Sequence, residues 1–377
     1  MKIALAHDFL NQYGGAERTL EALHEAFPEA PIFTSVFVPD RLPACFSDWD
    51  VRTSFMQNLP FLTTAYKKYL PLYPRAFERF DLSGFDVVLS SSSAFAKGIR
   101  VPPGAVHICY CYTPMRFVWD RDRYLEKEPV PFYLKPFLNP LLERLRRWDL
   151  CTARSVHRFI AISEHIRRRI RAAYGAEADV LYPPVDVGDF PVSNQKGTYD
   201  LVVSRLNPYK RIEIAIAACE RLGRPLKIVG QGPHASALRR LAGPRTEFLG
   251  AVPFDRLKEL YAGTRAFLFP GEEDFGIAPV EAMAAGRPVI AYGSGGALET
   301  VVEGETGLFF REPTPESLIA ALRRFEEMTF EPRVIRRRAE GFRRALFVEG
   351  IRDRVRKAWR DSHVNLELRA THTPLAW

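Results

Sequence analysis

What most restricts this chain is an alternation, run through twice, of short apolar runs and stretches whose apolar residues recur at helical spacing. In the first half the runs lie at 2–6, 32–37, 51–55, 87–91, 106–110, 158–162 and 180–182. In the second half they lie at 201–204, 226–229, 246–249, 266–269, 289–291 and 307–310. Patterns at 16–26, 211–221, 235–241, 254–262 and 315–325 read as amphipathic helices between them. Short strands apolar on both faces, separated by helices, make parallel sheets of βαβ units. The expectation is an α/β chain with two doubly wound domains facing across a cleft.

The join is visible in Tyr182-Pro183-Pro184-Val185-Asp186, because proline locks φ and restricts the residue before it. The division predicted is 1–186, 187–345, and a basic helix and tail at 346–377 free to cross back to the first domain. At 377 residues, 47% hydrophobic and 26% charged, the chain has material for two cores, which excludes global disorder. No run of 18 apolar residues occurs, so no spanning helix is expected. The opening ten residues carry His7 and Asp8 inside their apolar run, which does not fit a secretory signal and points to the cytoplasm. The five cysteines are scattered; Cys109 and Cys111 share a strand face without metal-ligand spacing, so buried thiols and no metal are expected.

The net charge of +8 collects at 144–147, 167–171, 336–338 and 352–357, each in a helical pattern. Solvated helix faces are one reading; attraction to anionic lipid or a phosphorylated substrate is the other. No nucleic-acid signature accompanies the charge, so nucleic acid is not expected.

Three segments carry chemistry, each after a strand. Glu273 and Glu281 lie in Gly271-Glu272-Glu273-Asp274-Phe275-Gly276-Ile277-Ala278-Pro279-Val280-Glu281, read as an acidic loop and a helix with Pro279 first and Glu281 in its first turn. Both carboxylates suit sugar hydroxyls, and the N–H groups near Phe275 and Gly276 suit an anion. Arg205 and Lys210 lie in Ser204-Arg205-Leu206-Asn207-Pro208-Tyr209-Lys210-Arg211. Cations at a helix start oppose the dipole, which a bound diphosphate would reverse; pairing of Lys210 with Glu213 is the plainer alternative. Asn11-Gln12-Tyr13-Gly14-Gly15 opens the first helix, where Gly14 and Gly15 expose N–H groups, although the dinucleotide glycine spacing is missing. The segment 61–80 interleaves Tyr66, Tyr69 and Phe77 with Lys67, Lys68, Arg75 and Arg79, which suits either a membrane interface or a core helix broken by Pro71 and Pro74.

Together these motifs resemble glycosyltransferase family 4, over residues 2 to about 310 and most densely at 204–211 and 270–296. The run Cys109-Tyr110-Cys111-Tyr112-Thr113-Pro114-Met115-Arg116 is similar to GDP-mannose-dependent mannosyltransferases of surface polysaccharide (lipopolysaccharide-type) assembly. The resemblance implies the GT-B fold of two Rossmann-like domains and retaining transfer of a hexose, mannose from GDP-mannose foremost, to a saccharide or polyprenyl-linked acceptor. It implies no cofactor and no metal. Arg205 and Lys210 would hold the leaving diphosphate, Glu273 the donor sugar with Phe275, Gly276 and Ile277, and Glu281 the ribose. Val252, in the stretch 252–255 expected near the nucleobase, and Gly230 join the donor-binding set, and Gly14 and Gly15 approach the phosphates and the acceptor. Members of that subgroup usually carry His where this chain has Tyr112, which is expected to contact a sugar hydroxyl. The alternatives are a UDP-sugar donor, or a weakly catalytic sugar-nucleotide-binding partner of a synthase. A peripheral place on the inner, anionic face of the membrane goes with a lipid-linked acceptor.

Overall fold

The computed structural model describes residues 1–62, 66–120, 135–195 and 197–371. The chain divides into two compact units, Met1–Tyr182 with Phe347–Trp377, and Pro183–Leu346.

The first unit runs β1 (Ile3–His7), α1 (Gly15–Ala26), β2 (Ile32–Thr34), β3 (Val51–Thr53), α2 (Tyr73–Glu78), β4 (Val87–Ser92), β5 (Val106–Cys111), α3 (Arg116–Trp119), α4 (Lys135–Ala153), β6 (Arg158–Ala161), α5 (Glu164–Tyr174) and β7 (Ala178–Val180). Its sheet has the order β3-β2-β1-β4-β5-β6-β7, parallel throughout. Every residue of β4 and β5 is buried, the reason they read as continuous rather than alternating apolar runs. The chain goes outward from β1 to β3 and then returns to place β4 on the other side of β1, with His7 beside Ser91. In such sheets ligands bind at the carboxyl ends of the strands flanking that reversal.

The second unit runs β8 (Tyr199–Val203), α6 (Ile212–Leu222), β9 (Leu226–Val229), α7 (Ala235–Leu241), β10 (Thr246–Gly250), α8 (Phe254–Gly263), β11 (Thr264–Phe269), α9 (Ile277–Ala284), β12 (Val289–Tyr292), α10 (Ala297–Thr300), β13 (Gly307–Phe310), α11 (Pro315–Glu326) and α12 (Pro332–Glu340). The parallel sheet has the order β10-β9-β8-β11-β12-β13, with its reversal between β8 and β11. Ile228, Leu268, Ile290 and Leu308 from the strands meet Ile212, Ile216, Leu318 and Leu322 from α6 and α11 in its core. A last helix, α13 (Arg344–Thr371), carries the chain into the first unit, where Phe347 packs on Tyr110 with ring centroids 5.4 Å apart.

Several local expectations need correction. β2 stops at Thr34 because Phe37 leaves the sheet for an isolated bridge to Leu10. β7 lies at Ala178–Val180, earlier than expected, so that the two residues before Pro183 form the exit from the sheet. The segment 61–80 is no single helix: a 3-10 stretch, Tyr66–Leu72, precedes α2. Tyr73 and Phe77 enter the core beside Phe33, Val88 and Leu145, whereas Lys68, Arg75 and Arg79 are exposed and Phe61 is 79% exposed. Lys67 has no described side chain. Of the cysteines, Cys109, Cys111 and Cys219 are buried, but Cys45 and Cys151 are exposed.

The basic runs divide between two uses. In α5 only Ile166 and Ile170 are buried, leaving Arg167, Arg168 and Arg171 on a solvated face. In α13, Arg352 donates to the carbonyls of Glu25 and Ala26 at the end of α1, and Arg354 to that of Val180. Cations on terminal helix carbonyls are favoured by the dipole.

Candidate active site

In the second unit, the loops leaving β8 and β11 converge at the sheet reversal. Asn207 through Lys210 turn through a 3-10 segment, Pro208–Lys210, and Arg211 then caps α6 with φ +54°. That left-handed conformation is strained for a residue with a Cβ, by about 1 kcal/mol, and such strain gathers at functional positions. Lys210 Nζ forms a short ion pair with Glu273 Oε1, both side chains mostly buried. The β11 loop lies directly on the Lys210 backbone: a Cβ at Gly271 would stand 2.9 Å from Lys210 Cα. Lys210 thus reaches across to the facing loop, a partner that helix spacing alone does not suggest. Arg205 is exposed and, among the described residues, makes no ion pair.

The acidic loop is held from behind. The Gly296 N–H donates to the Glu273 carbonyl at 2.8 Å, so the glycine turn at 293–296 supports the residue carrying the carboxylate. Phe275 is buried against Phe342, with ring centroids 5.6 Å apart. Gly276 has φ +92°, which permits a sharp entry into α9. That entry corrects the expected start: α9 begins at Ile277, placing Pro279 third and Glu281 in the second turn. Glu281 is buried and accepts a 2.8 Å hydrogen bond at Oε2 from Tyr261 of α8. Sequence reasoning missed Tyr261, which the helical pattern marks only as apolar. Gly230 donates its N–H to Gly250 at 2.7 Å, and a Cβ there would lie 1.9 Å from the Ser204 carbonyl oxygen. Val252 is half-buried in the turn that follows β10.

In the first unit, the β1 and β4 ends are closed by side chains. The Asp8 carboxylate accepts from the N–H groups of Ser93, Ala94, Phe95 and Ala96 at 2.6–3.0 Å and from the Ser93 hydroxyl at 2.8 Å. Consecutive N–H groups of this kind form an anion-binding concavity; the protein's own carboxylate occupies it. The serine run at 90–93 was the available signal. Gly14 is extended and Gly15 opens α1, with Tyr13 tethered to the Glu21 carboxylate at 3.1 and 3.2 Å. Burial first, and the Glu21 charge after it, push the Tyr13 phenol up to about 12.

Tyr112 follows β5, and its hydroxyl donates to the Ala16 carbonyl at 3.1 Å and bonds Ser91 Oγ at 2.8 Å. Ser91 also meets His7 Nδ1 at 3.1 Å, and His7 Nε2 lies 3.9 Å from Glu17 Oε1. Burial pushes the Tyr112 phenol far above its ordinary value, so it keeps its proton. His107, buried and bonded to Ser90 Oγ at 2.9 Å, is driven down to about 3 by desolvation and stays neutral.

Among the described residues, no three His, Cys, Asp or Glu side chains gather to hold a metal, and no helix is long and apolar enough to cross a membrane.

Two family descriptions match consecutive stretches: "Glycosyltransferase Family 4" over residues 13–189 and "Glycosyl transferases group 1" over residues 190–341. The chain belongs to the family 4, group 1 glycosyltransferases, and its two parallel α/β sheets are those of the GT-B fold. It is 35% identical over 179 residues to a GDP-mannose-dependent alpha-(1-6)-phosphatidylinositol monomannoside mannosyltransferase of Mycobacterium tuberculosis, covering 39% of this chain and 46% of that protein. It is 27% identical over 197 residues to a glycogen synthase of Pseudomonas syringae, covering 50% of this chain and 38% of that one. The chain thus spans about half or less of the length of these curated relatives. Among solved structures, Anabaena Alr3699/HepE in complex with UDP and glucose superposes with a TM-score of 0.71 at 17% identity, over 95% of this chain and 100% of that one. A sucrose-phosphate synthase from Thermosynechococcus elongatus gives 0.67 at 17%, over 98% and 100%. At these identities the likeness is one of fold.

Proposed function

We propose that this chain is a retaining hexosyltransferase that takes a nucleotide sugar, GDP-mannose foremost, and passes the hexose to a saccharide or polyprenyl-linked acceptor in surface-polysaccharide assembly. The observation carrying the reading is the meeting of Lys210 and Glu273 at the second unit's sheet reversal, where doubly wound folds bind ligands. A nucleoside diphosphate leaves as an anion, so a fixed cation beside it lowers the barrier without rearrangement. Lys210 and the exposed Arg205 supply that charge, and Arg205 adds bidentate geometry. Glu273, once Lys210 turns to the diphosphate, accepts from hydroxyls of the donor sugar, with the backbone at Phe275, Gly276 and Ile277 beside it. Glu281, fixed in place by the hydrogen bond from Tyr261, takes the ribose hydroxyls. Val252 and Gly230 border the base, and Gly14 and Gly15 present N–H groups in the first unit. No protein nucleophile and no metal enters this scheme.

The mannose reading draws on the mannosyltransferase likeness; the glucose-linked structural neighbours favour a UDP-sugar as the second reading. An anionic membrane surface goes with the acceptor: Phe61 stands 79% exposed on the segment that also exposes Lys68, Arg75 and Arg79. A thermal-shift panel of GDP, UDP, ADP and their hexose conjugates tests the donor. One selective conjugate should raise the midpoint by mass action, and a flat response across the panel defeats the reading.

A further inference from the structure

The basic run 336–338 lies in α12, and two of its three cations turn inward while Arg337 is exposed. Arg336 donates to the carbonyls of Phe190 and Ala284, both at 2.7 Å, and Ala284 is the last residue of α9, the helix that carries Glu281. Arg338 donates through Nε to the Thr300 carbonyl at 3.1 Å and through Nη2 to the Glu299 carbonyl. These carbonyls close α10, where a helix leaves its last acceptors without helical donors. A planar guanidinium meets two neighbouring carbonyls at once, a geometry that an ammonium does not hold. The same guanidinium lies over the Phe342 ring, 5.0 Å from its centroid.

We propose that Arg338 is a positioning residue for the acidic loop 271–276, which it holds by two routes. The inference rests on the transferase reading for its consequence, and on contacts within the second unit for its mechanism. The first route is backbone. Arg338 fixes the end of α10, and the N–H groups of Glu299 and Thr300 return to the Gly296 carbonyl at 3.0 and 3.2 Å, so this single turn moves as one piece. The Gly296 N–H in turn donates to the Glu273 carbonyl at 2.8 Å. The fit has no slack, because a Cβ at Gly295 would strike the Glu273 carbonyl oxygen and one at Gly296 the Phe275 backbone. The second route is aromatic. Phe342 meets the guanidinium and also Phe275, with ring centroids 5.6 Å apart and both rings 3% exposed. Glu273 and Phe275 are two residues apart, so the backbone that aims the carboxylate is held at both points. On the transferase reading Glu273 has to keep that aim at the donor sugar after Lys210 engages the diphosphate, and the supports from α10 and Phe342 are what hold it then.

Two measurements on the full chain test this. Amide hydrogen exchange reads the mechanism: Arg338→Ala should quicken exchange across 271–276 and 293–300 about tenfold and leave β8 and β9 as they were. Equal quickening across the whole second unit, or none in those two loops, overturns the inference. Should Arg338→Ala not fold, Arg338→Lys carries the same measurement. Ligand binding and turnover read the consequence. Arg338→Lys keeps the charge and the stem but not the paired donors, and its kcat should fall about tenfold, as a misaimed group costs. Affinity for GDP-mannose should fall about three- to tenfold, the worth of one hydrogen bond, while affinity for GDP stays within about twofold. UDP-glucose and UDP take their places if the donor panel selects them. A kcat equal to the parent's, or an affinity for the free nucleotide that falls in step with that for the conjugate, also overturns the inference. If the two loops exchange faster and the parent chain binds no nucleotide sugar, the transferase reading falls while the positioning stands.

Discussion

The two sheet reversals are built alike and finished differently. Each brings together the loops after the first strand of its unit and the strand that returns beside it, β1 with β4 and β8 with β11. In the first unit the carboxylate arriving there, Asp8, is 3% exposed and takes four backbone N–H groups. In the second, Lys210 and Glu273 keep 17% and 15% of their side-chain surface exposed, and Arg205 is left out in solvent. A concavity filled by the protein's own anion is structural. A pair that keeps part of its surface in solvent is the one that the proposed reading assigns to the donor diphosphate and sugar. On that reading the same topology serves as a keystone in one unit and as a site in the other.

The largest effect should come from the keystone. Asp8→Asn sets an amide N–H₂ against donors that need an acceptor, and stability should fall by about 3 kcal/mol or more, read as a lower urea midpoint. A midpoint within about 0.5 kcal/mol of the parent would mean that the first reversal is not structural. Next, Lys210→Ala should leave the urea midpoint nearly unchanged while turnover drops on the order of a hundredfold. If this variant instead unfolds as Asp8→Asn does, the contrast between the reversals disappears. The smallest effect belongs to the first unit's surface. Phe61→Ala should weaken sedimentation with anionic vesicles by a few-fold, about the transfer energy of part of an aromatic ring, and leave turnover on a water-soluble acceptor unaltered. Equal sedimentation of both proteins at low salt would remove Phe61 from any membrane contact.

Much of the architecture was legible because buried parallel strands must be apolar on both faces. The runs at 226–229 and 307–310 matched their strands to the residue, and 87–91 and 289–291 fell one residue short. Helix 235–241 matched fully, since its amphipathic pattern and its length agree. The site was legible only as a set of strand ends. Lys210 and Glu273 are 63 positions apart, and their pairing follows from β8 lying beside β11, which no local pattern states. Glu281 was placed a turn too early because Pro279 read as the helix start, whereas Gly276 had already turned the chain with its positive φ. Asp8 and His7 read as interruptions of an apolar run; their partners, Ser91 and the N–H groups of 93–96, arrive from more than 80 residues away.

Taken alone, the order of residues determined most of the strands and helices, that both sheets are parallel, and where the chain leaves its first domain at the paired prolines. Those are consequences of burial periodicity and of proline's fixed φ, both local properties. Which charges are partnered, that His7, Ser91 and Tyr112 meet, and which reversal keeps its charged pair partly exposed were decided only by tertiary structure. A hydrogen bond or an ion pair depends on distance and direction between groups remote in sequence, and those are set when the sheets assemble.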